Sequence, residues 1–136
     1  GSGSCTAAIT GVGTPSATVG VTFDISVSAA ANDKNGLVFY GYAKTCYTPV
    51  AWTGSTSFLC IKAPTQRMPA ALSGNVLGVP CTGSYTKEWN GFVNANVAAI
   101  GHPLTAGEVF DAQYWHRDNN VKTTSLSGSL RFTVGP

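Results

Sequence analysis

A chain of 136 residues is the size of one domain. Only 10 % of it is Asp, Glu, Lys or Arg, against about a quarter in typical soluble domains, and the formal net charge is +2. The eight basic residues form no run that would gather nucleic acid, and no apolar stretch approaches the roughly 18 residues of a spanning helix, so neither nucleic-acid binding nor membrane insertion is expected.

The opening GSGSCTAAIT has no basic region followed by an apolar one, so it is not a signal peptide. Residues 1–4 read as a cloning scar or an extended N-terminus, and residues 5–136 as one domain. Next comes ITGVGTPSATV, an extended segment expected to add to an exposed sheet edge of a neighbouring copy. Its GVGTPS begins like a dinucleotide fingerprint, but it lacks the third glycine, and Pro15 would interrupt the helix that must receive the phosphate. In VTFDISVSA, residues 21–29, Val21, Phe23, Ile25 and Val27 alternate with polar neighbours, the period of a half-buried strand. The turn cluster Asn32 to Gly36 and the apolar LVFYGYA follow, and the two runs are expected to form a hairpin. SFLCIK, residues 57–62, reads as a further strand.

In KEWNGFVNANVAAIG the periodicity changes. Trp89, Phe92, Val93, Asn96 and Ile100 sit at helical spacings before the stop Gly101-His102-Pro103, which predicts one short helix near residues 87–99. Trp89 and Phe92 would close one end of the core, while Gly91 costs that helix about 1 kcal/mol relative to alanine. Strands return in EVFDAQYWHR, residues 108–117, and SLRFTV, residues 129–134. The expected fold is an all-β antiparallel sandwich, Ig-like or jelly-roll-like, with one helix.

Cys5, Cys46, Cys60 and Cys81 are too far apart for a C-x-x-C metal or redox site, and an even number in a low-charge, export-like chain favours two disulfides. Of three pairings, Cys60–Cys81 would staple the excursion IKAPTQRMPAALSGNVLGVP, and Cys5–Cys46 would tie down the N-terminus. The expected location is therefore extracellular or at the cell surface.

Catalytic signatures are thin. His116-Arg117-Asp118 spells the kinase catalytic triplet, yet Thr123 stands where that loop needs a metal-binding asparagine. A hydrolase would draw on Asp111 or Glu108 with His116, but no local motif accompanies them. Zinc would need His102, Asp111, His116 and Asp118 to meet, and calcium would need the oxygens of Asp118, Asn119 and Asn120. The expectation is no enzyme, no metal and no cofactor. Among the aromatic residues, Trp52, Tyr47, Tyr42 and Trp115 are candidates for a sugar-stacking platform, with Trp52 in the loop-like TPVAWTGSTS foremost. Tyr114 and Trp115, being successive on a strand, must point to opposite faces.

Several phrases together, Asn35-Gly36-Leu37 through Gly41, Phe58-Leu59-Cys60-Ile61-Lys62-Ala63-Pro64-Thr65-Gln66-Arg67, Ser73-Gly74, Glu88-Trp89-Asn90, Gln113 through Asp118, Lys122-Thr123-Thr124 and Phe132-Thr133-Val134, carry a resemblance. From about Gly11 to Pro136 the chain resembles uncharacterised modules at the C-terminal end of secreted proteins from planctomycetes and other environmental bacteria. The resemblance implies secretion, a non-catalytic accessory or surface role, and a bridge between Cys60 and Cys81. The chain departs from the pattern at Asn119, where proline is usual, and at Cys46, which is not a family position. Gln113, Arg117, Asp118 and Trp89 are expected to be structural, with one of Arg117 and Asp118 ordering the following loop and the other meeting a neighbouring strand. The function expected is a non-catalytic extracellular module acting by contact, either attaching to a surface or self-assembling as a structural subunit. The alternative is a carbohydrate-binding accessory module. Its partners would accordingly be copies of itself or a surface glycan.

Overall fold

The structure, a computed structural model, describes residues 5–43, 50–51, 58–59, 61, 64–117 and 124–136. The alternating run near the N-terminus becomes β2 (Phe23–Ala30), with Phe23, Ile25 and Val27 buried on one face. It lies between β1 (Ala8–Gly13) and β8 (Gly83–Glu88) in an antiparallel three-stranded sheet. The facing sheet is ordered β10 (Thr124–Thr133), β9 (Val109–Arg117), β3 (Asn35–Tyr42), and the short β6 (Gln66–Arg67) and β7 (Ala71–Leu72) both pair with β3. A two-residue pair, β4 (Val50–Ala51) with β5 (Phe58–Leu59), forms a ladder of its own, with β5 near β10. Two packed antiparallel sheets make a β-sandwich, and their strand order is that of the immunoglobulin-type arrangement. No helix among the described residues is long and apolar enough to cross a membrane.

The hairpin expected around Asn32 to Gly36 does not form: β2 and β3 lie in different sheets, and the turn carries the chain across the sandwich. The physical reason is that its polar groups bond to residues 73–82 and not across a hairpin ladder. Asp33 N–H donates to Gly74 C=O, Lys34 N–H to Ser73 Oγ, and Ser73 N–H back to Lys34 C=O. Ala29 and Asp33 take positive φ, and a bulge between Val27 and Ala30 bends β2 into the crossing.

The N-terminal segment expected to reach a neighbouring copy is β1 of its own sheet, paired with β2 from Ala8↔Ser28 to Gly13↔Phe23. Past Gly13 the chain changes sheets: Gly135 N–H donates to Pro15 C=O, and Ala17 N–H donates to Gly135 C=O. Both expected disulfides are also corrected, because Cys5 is bonded to Cys81, with Cα atoms 5.3 Å apart. Each expected bridge gave one of these sulfurs another partner. The chain reversal at residues 73–82 brings Cys81 to the entry of β1, a placement that spacing does not reveal. Cys46 and Cys60 lie outside the described residues.

The helix is shorter than its apolar spacing suggests. It is α1 (Trp89–Ala95), and the residues before it are strand. Glu88 sets the start: its carboxylate accepts from Asn90 N–H (2.9 Å) and Gly91 N–H (2.6 Å), and also from Phe23 N–H (2.9 Å) at the head of β2. A Cβ at Gly91 would lie 2.6 Å from that carboxylate, so this glycine makes room for the cap. Asn90 is buried and donates to Thr14 C=O (3.0 Å) and Val21 C=O (2.8 Å), fixing the loop between β1 and β2. Asn96 turns extended and ends the helix, its side chain donating to Phe92 C=O.

Trp89 is the centre of the core, with Phe132, Phe110, Tyr40 and Phe23 rings 4.8, 5.1, 5.5 and 6.5 Å away, mostly edge-on or tilted. At the other end of the core, Tyr114 lies 5.3 Å from both Tyr85 and His116. Burial pushes the Tyr85 and Tyr114 phenols up to about 12, and the Tyr40 phenol higher still. The folded state thus holds protons that an unfolded tyrosine releases near pH 10. The stabilisation is present below pH 10 and is lost as the pH rises towards 12, so urea midpoints are expected to fall between these values. A midpoint unchanged over that range would contradict the burial of these hydroxyls.

Candidate functional site

Register on β9 divides the sequence candidates between two faces. Phe110, Ala112, Tyr114 and His116 point into the core, while Asp111, Gln113, Trp115 and Arg117 point to the other side of the sheet. On that outer side the Arg131 guanidinium grips Asp111 at 2.8 and 3.0 Å. Gln113 is buried and donates to Ser127 C=O (2.6 Å), and Ser127 Oγ accepts from Tyr114 N–H (2.9 Å). These contacts hold the bulge between Leu126 and Ser129 of β10. Trp115 is half-buried, and the exposed Arg117 guanidinium stands 5.8 Å from its ring centre. Asp118, with residues 119–123, lies outside the described residues.

Tyr42 is elsewhere. It pairs with Phe110, five residues along β9 from Trp115 and on the core side, so the two rings do not share a surface. It is 38 % exposed and stacks on Phe110 at 4.8 Å, and burial and the Glu108 carboxylate both raise its phenol pKa. Trp52 and Tyr47 lie outside the described residues. Asp111 and His116 sit on opposite faces of β9, and His102 holds Val93 C=O through Nδ1 at 2.8 Å. Among the described residues no three His, Cys, Asp or Glu side chains gather as metal ligands would.

The feature that composition and spacing missed is the loop between β7 and β8. Val79 N–H donates to Val76 C=O (3.0 Å) around Leu77 and Gly78, and Gly78 has the positive φ that this turn asks of its third residue. Leu77 at its tip is 93 % exposed, with Leu72 at 65 % and Val76 at 58 %. The base is clamped. Thr82 Oγ1 accepts from Val76 N–H (2.7 Å), and Asn32 donates to Val79 C=O (2.7 Å) while accepting from Thr82 N–H (2.9 Å). Asn75 donates to the Asp33 carboxylate, and the Cys5–Cys81 bridge closes the far side. A loop clamped at its base therefore presents several aliphatic side chains to water. In the sequence Gly74, Asn75, Gly78 and Pro80 announce turns, but aliphatics without a period do not show whether they point inward.

The chain matches no family model, no curated protein and no solved structure.

Proposed function

We propose that the protein is a non-catalytic extracellular module that acts by contact, attaching to a surface or assembling with its own kind through the loop of residues 72–79. The observation that carries this reading is the clamped loop with Leu77 at 93 % exposure. Covering one such side chain is worth about 1.5–3 kcal/mol, and a loop already held by hydrogen bonds and a disulfide avoids most of the roughly 0.5–1.5 kcal/mol that ordering each flexible side chain costs. Exposed aliphatics that join into one patch are a mark of contact surfaces. The Cys5–Cys81 bridge supports an oxidising, extracellular setting.

Leu77→Asp tests the reading. A side chain so exposed should leave the stability within about 0.5 kcal/mol of the parent, yet association through the loop or surface attachment should be lost. Association that persists unchanged in the variant would remove the loop from the function.

Carbohydrate binding is the second reading, favoured by the exposed Tyr42 ring beside the Glu108 carboxylate, with Trp52 and Tyr47 as further candidates and Trp115 a separate one on the other face of the sheet. Retention on a glycan array that falls with Tyr42→Ala and ignores Leu77→Asp would move the function there.

A further inference from the structure

We infer that the free edge of β1 is a pairing surface for the β1 of a second copy, joined antiparallel about a two-fold axis at Thr10. This goes beyond the loop contact and uses a different surface.

The direction of each backbone group follows from the hydrogen bonds around β1. Thr14 N–H donates to Thr22 C=O (2.9 Å), in the register that pairs Val12 with Asp24 and Thr10 with Ser26. Residues of an antiparallel pair alternate between bonding their partner strand and turning away from it, so the even-numbered residues of β1 bond β2. Ile9, Gly11 and Gly13 therefore turn their N–H and C=O groups to the opposite side. The chain itself shows what that side accepts: a little further on, Pro15 C=O and Ala17 N–H, of the same parity, are bonded to Gly135. Before Gly13 no described strand is hydrogen-bonded on this side: β10 packs beside β1 but bonds only β9. Unpaired backbone groups in a row are satisfied by another extended strand, which fixes the chemistry of the partner.

Comparison of the outer edges selects β1. The edge of β10 carries Arg131 and a bulge, and that of β8 carries Lys87 and Glu88, with Ser84 N–H already donated to Ser73 C=O. These are the devices that keep edges apart. β1 reads AITGVG, with no charge, no proline and no bulge against β2.

A second β1 is the occupant because the strand is self-complementary. With Thr10 on the axis, Ile9 and Gly11 exchange backbone hydrogen bonds with Gly11 and Ile9 of the other copy. Thr10 then meets Thr10, and Val12, 59 % exposed, meets the exposed Ala8. The pairing gives an exposed valine an apolar neighbour and continues one three-stranded sheet into a six-stranded one. Pairing stops short of Pro15, whose edge Gly135 occupies. Because the strands run in opposite directions, the two Cys5–Cys81 loops lie towards opposite ends of the dimer, so it offers two apolar tips.

Sedimentation across a wide concentration range, with amide exchange read at each residue, tests this on the intact chain. The expected result is a dimer in which the Ile9 and Gly11 amides gain protection with concentration while the Thr10 amide, already bonded to β2, does not. Thr10→Lys places like charges opposite each other on an exposed strand and should weaken the dimer by about tenfold or more, whereas Thr10→Val should retain it. A monomer at every concentration, or a dimer indifferent to Thr10→Lys, would overturn the inference. A dimer abolished by Leu77→Asp alone would overturn it too while leaving the loop contact standing.

Discussion

Trp89→Ala is expected to lower the stability of the fold by about 3–5 kcal/mol, the range for removing a large aromatic side chain from a core that cannot close around the gap. The site has little freedom to collapse. Phe23 belongs to one sheet, Tyr40, Phe110 and Phe132 belong to the other, and all four rings meet on the indole that α1 inserts between them. The helix in turn is anchored by Glu88 to the head of β2 and by Asn90 to the β1–β2 loop, so its backbone cannot slide inward to fill the cavity. Phe92→Ala is the comparison. That ring is half-buried and touches Tyr40 edge-on at 6.4 Å, so its removal should cost distinctly less. Urea unfolding followed by far-ultraviolet circular dichroism measures both. With a total stability of about 5–15 kcal/mol for a domain of ordinary size, Trp89→Ala should stand near the edge of folding. A loss smaller than that of Phe92→Ala would mean that the indole is not the centre of the core.

The second large effect is expected from Cys5→Ser combined with Cys81→Ser. The bridge joins residues 76 positions apart, and closing a loop of that length in the unfolded chain is worth about 4.5 kcal/mol in the chain-entropy account. The double substitution leaves no lone thiol at this site and leaves Cys46 and Cys60 untouched. It should lower the urea midpoint by an amount equivalent to about 2–5 kcal/mol. Its local consequence is distinct from the global one. Without the bridge the loop of residues 72–82 keeps its hydrogen bonds to Asn32 and Asp33 but loses its tie to the entry of β1. Contact through Leu77 should therefore weaken even under conditions where the fold persists. Peptide mapping without reduction gives the direct check. A fragment linking Cys5 to Cys81 agrees with the structure, and one linking Cys60 to Cys81 contradicts it.

How far the sequence reveals this molecule depends on the kind of information each feature uses. Strand alternation is local, so Phe23, Ile25 and Val27 mark β2 plainly, and Trp89, Phe92 and Val93 mark the helix. The start of the helix was less legible because it depends on a carboxylate at Glu88 that also serves β2, a contact between residues 65 positions apart. The turn at Asn32 to Gly36 carries every residue type of a hairpin. What decides against a hairpin is Ser73, Gly74 and Thr82, distant in sequence, which take up its polar groups. The disulfide misled for the same reason: cysteine spacing sets the length of a loop but not which cysteine the crossing brings near. β8 was missed because Tyr85 alone gives GSYTKE an apolar face. The outer face of β9 could be anticipated in part, since successive residues of a strand must diverge, and this parity separates Trp115 from Tyr114. Exposure of Leu72, Val76 and Leu77 could not be anticipated, because aliphatic residues between glycines read as core until the loop is seen to stand clear of it.

The association state of natively purified protein, followed by light scattering and electron microscopy over a range of concentrations, tests the contact reading most directly when parent and Leu77→Asp are measured together. The account predicts assemblies larger than the β1-paired dimer, or surface attachment, in the parent, which the substitution reduces to that dimer or abolishes while the fold is retained. A parent that never exceeds a dimer and stays unattached, or larger assemblies that Leu77→Asp leaves intact, would contradict it.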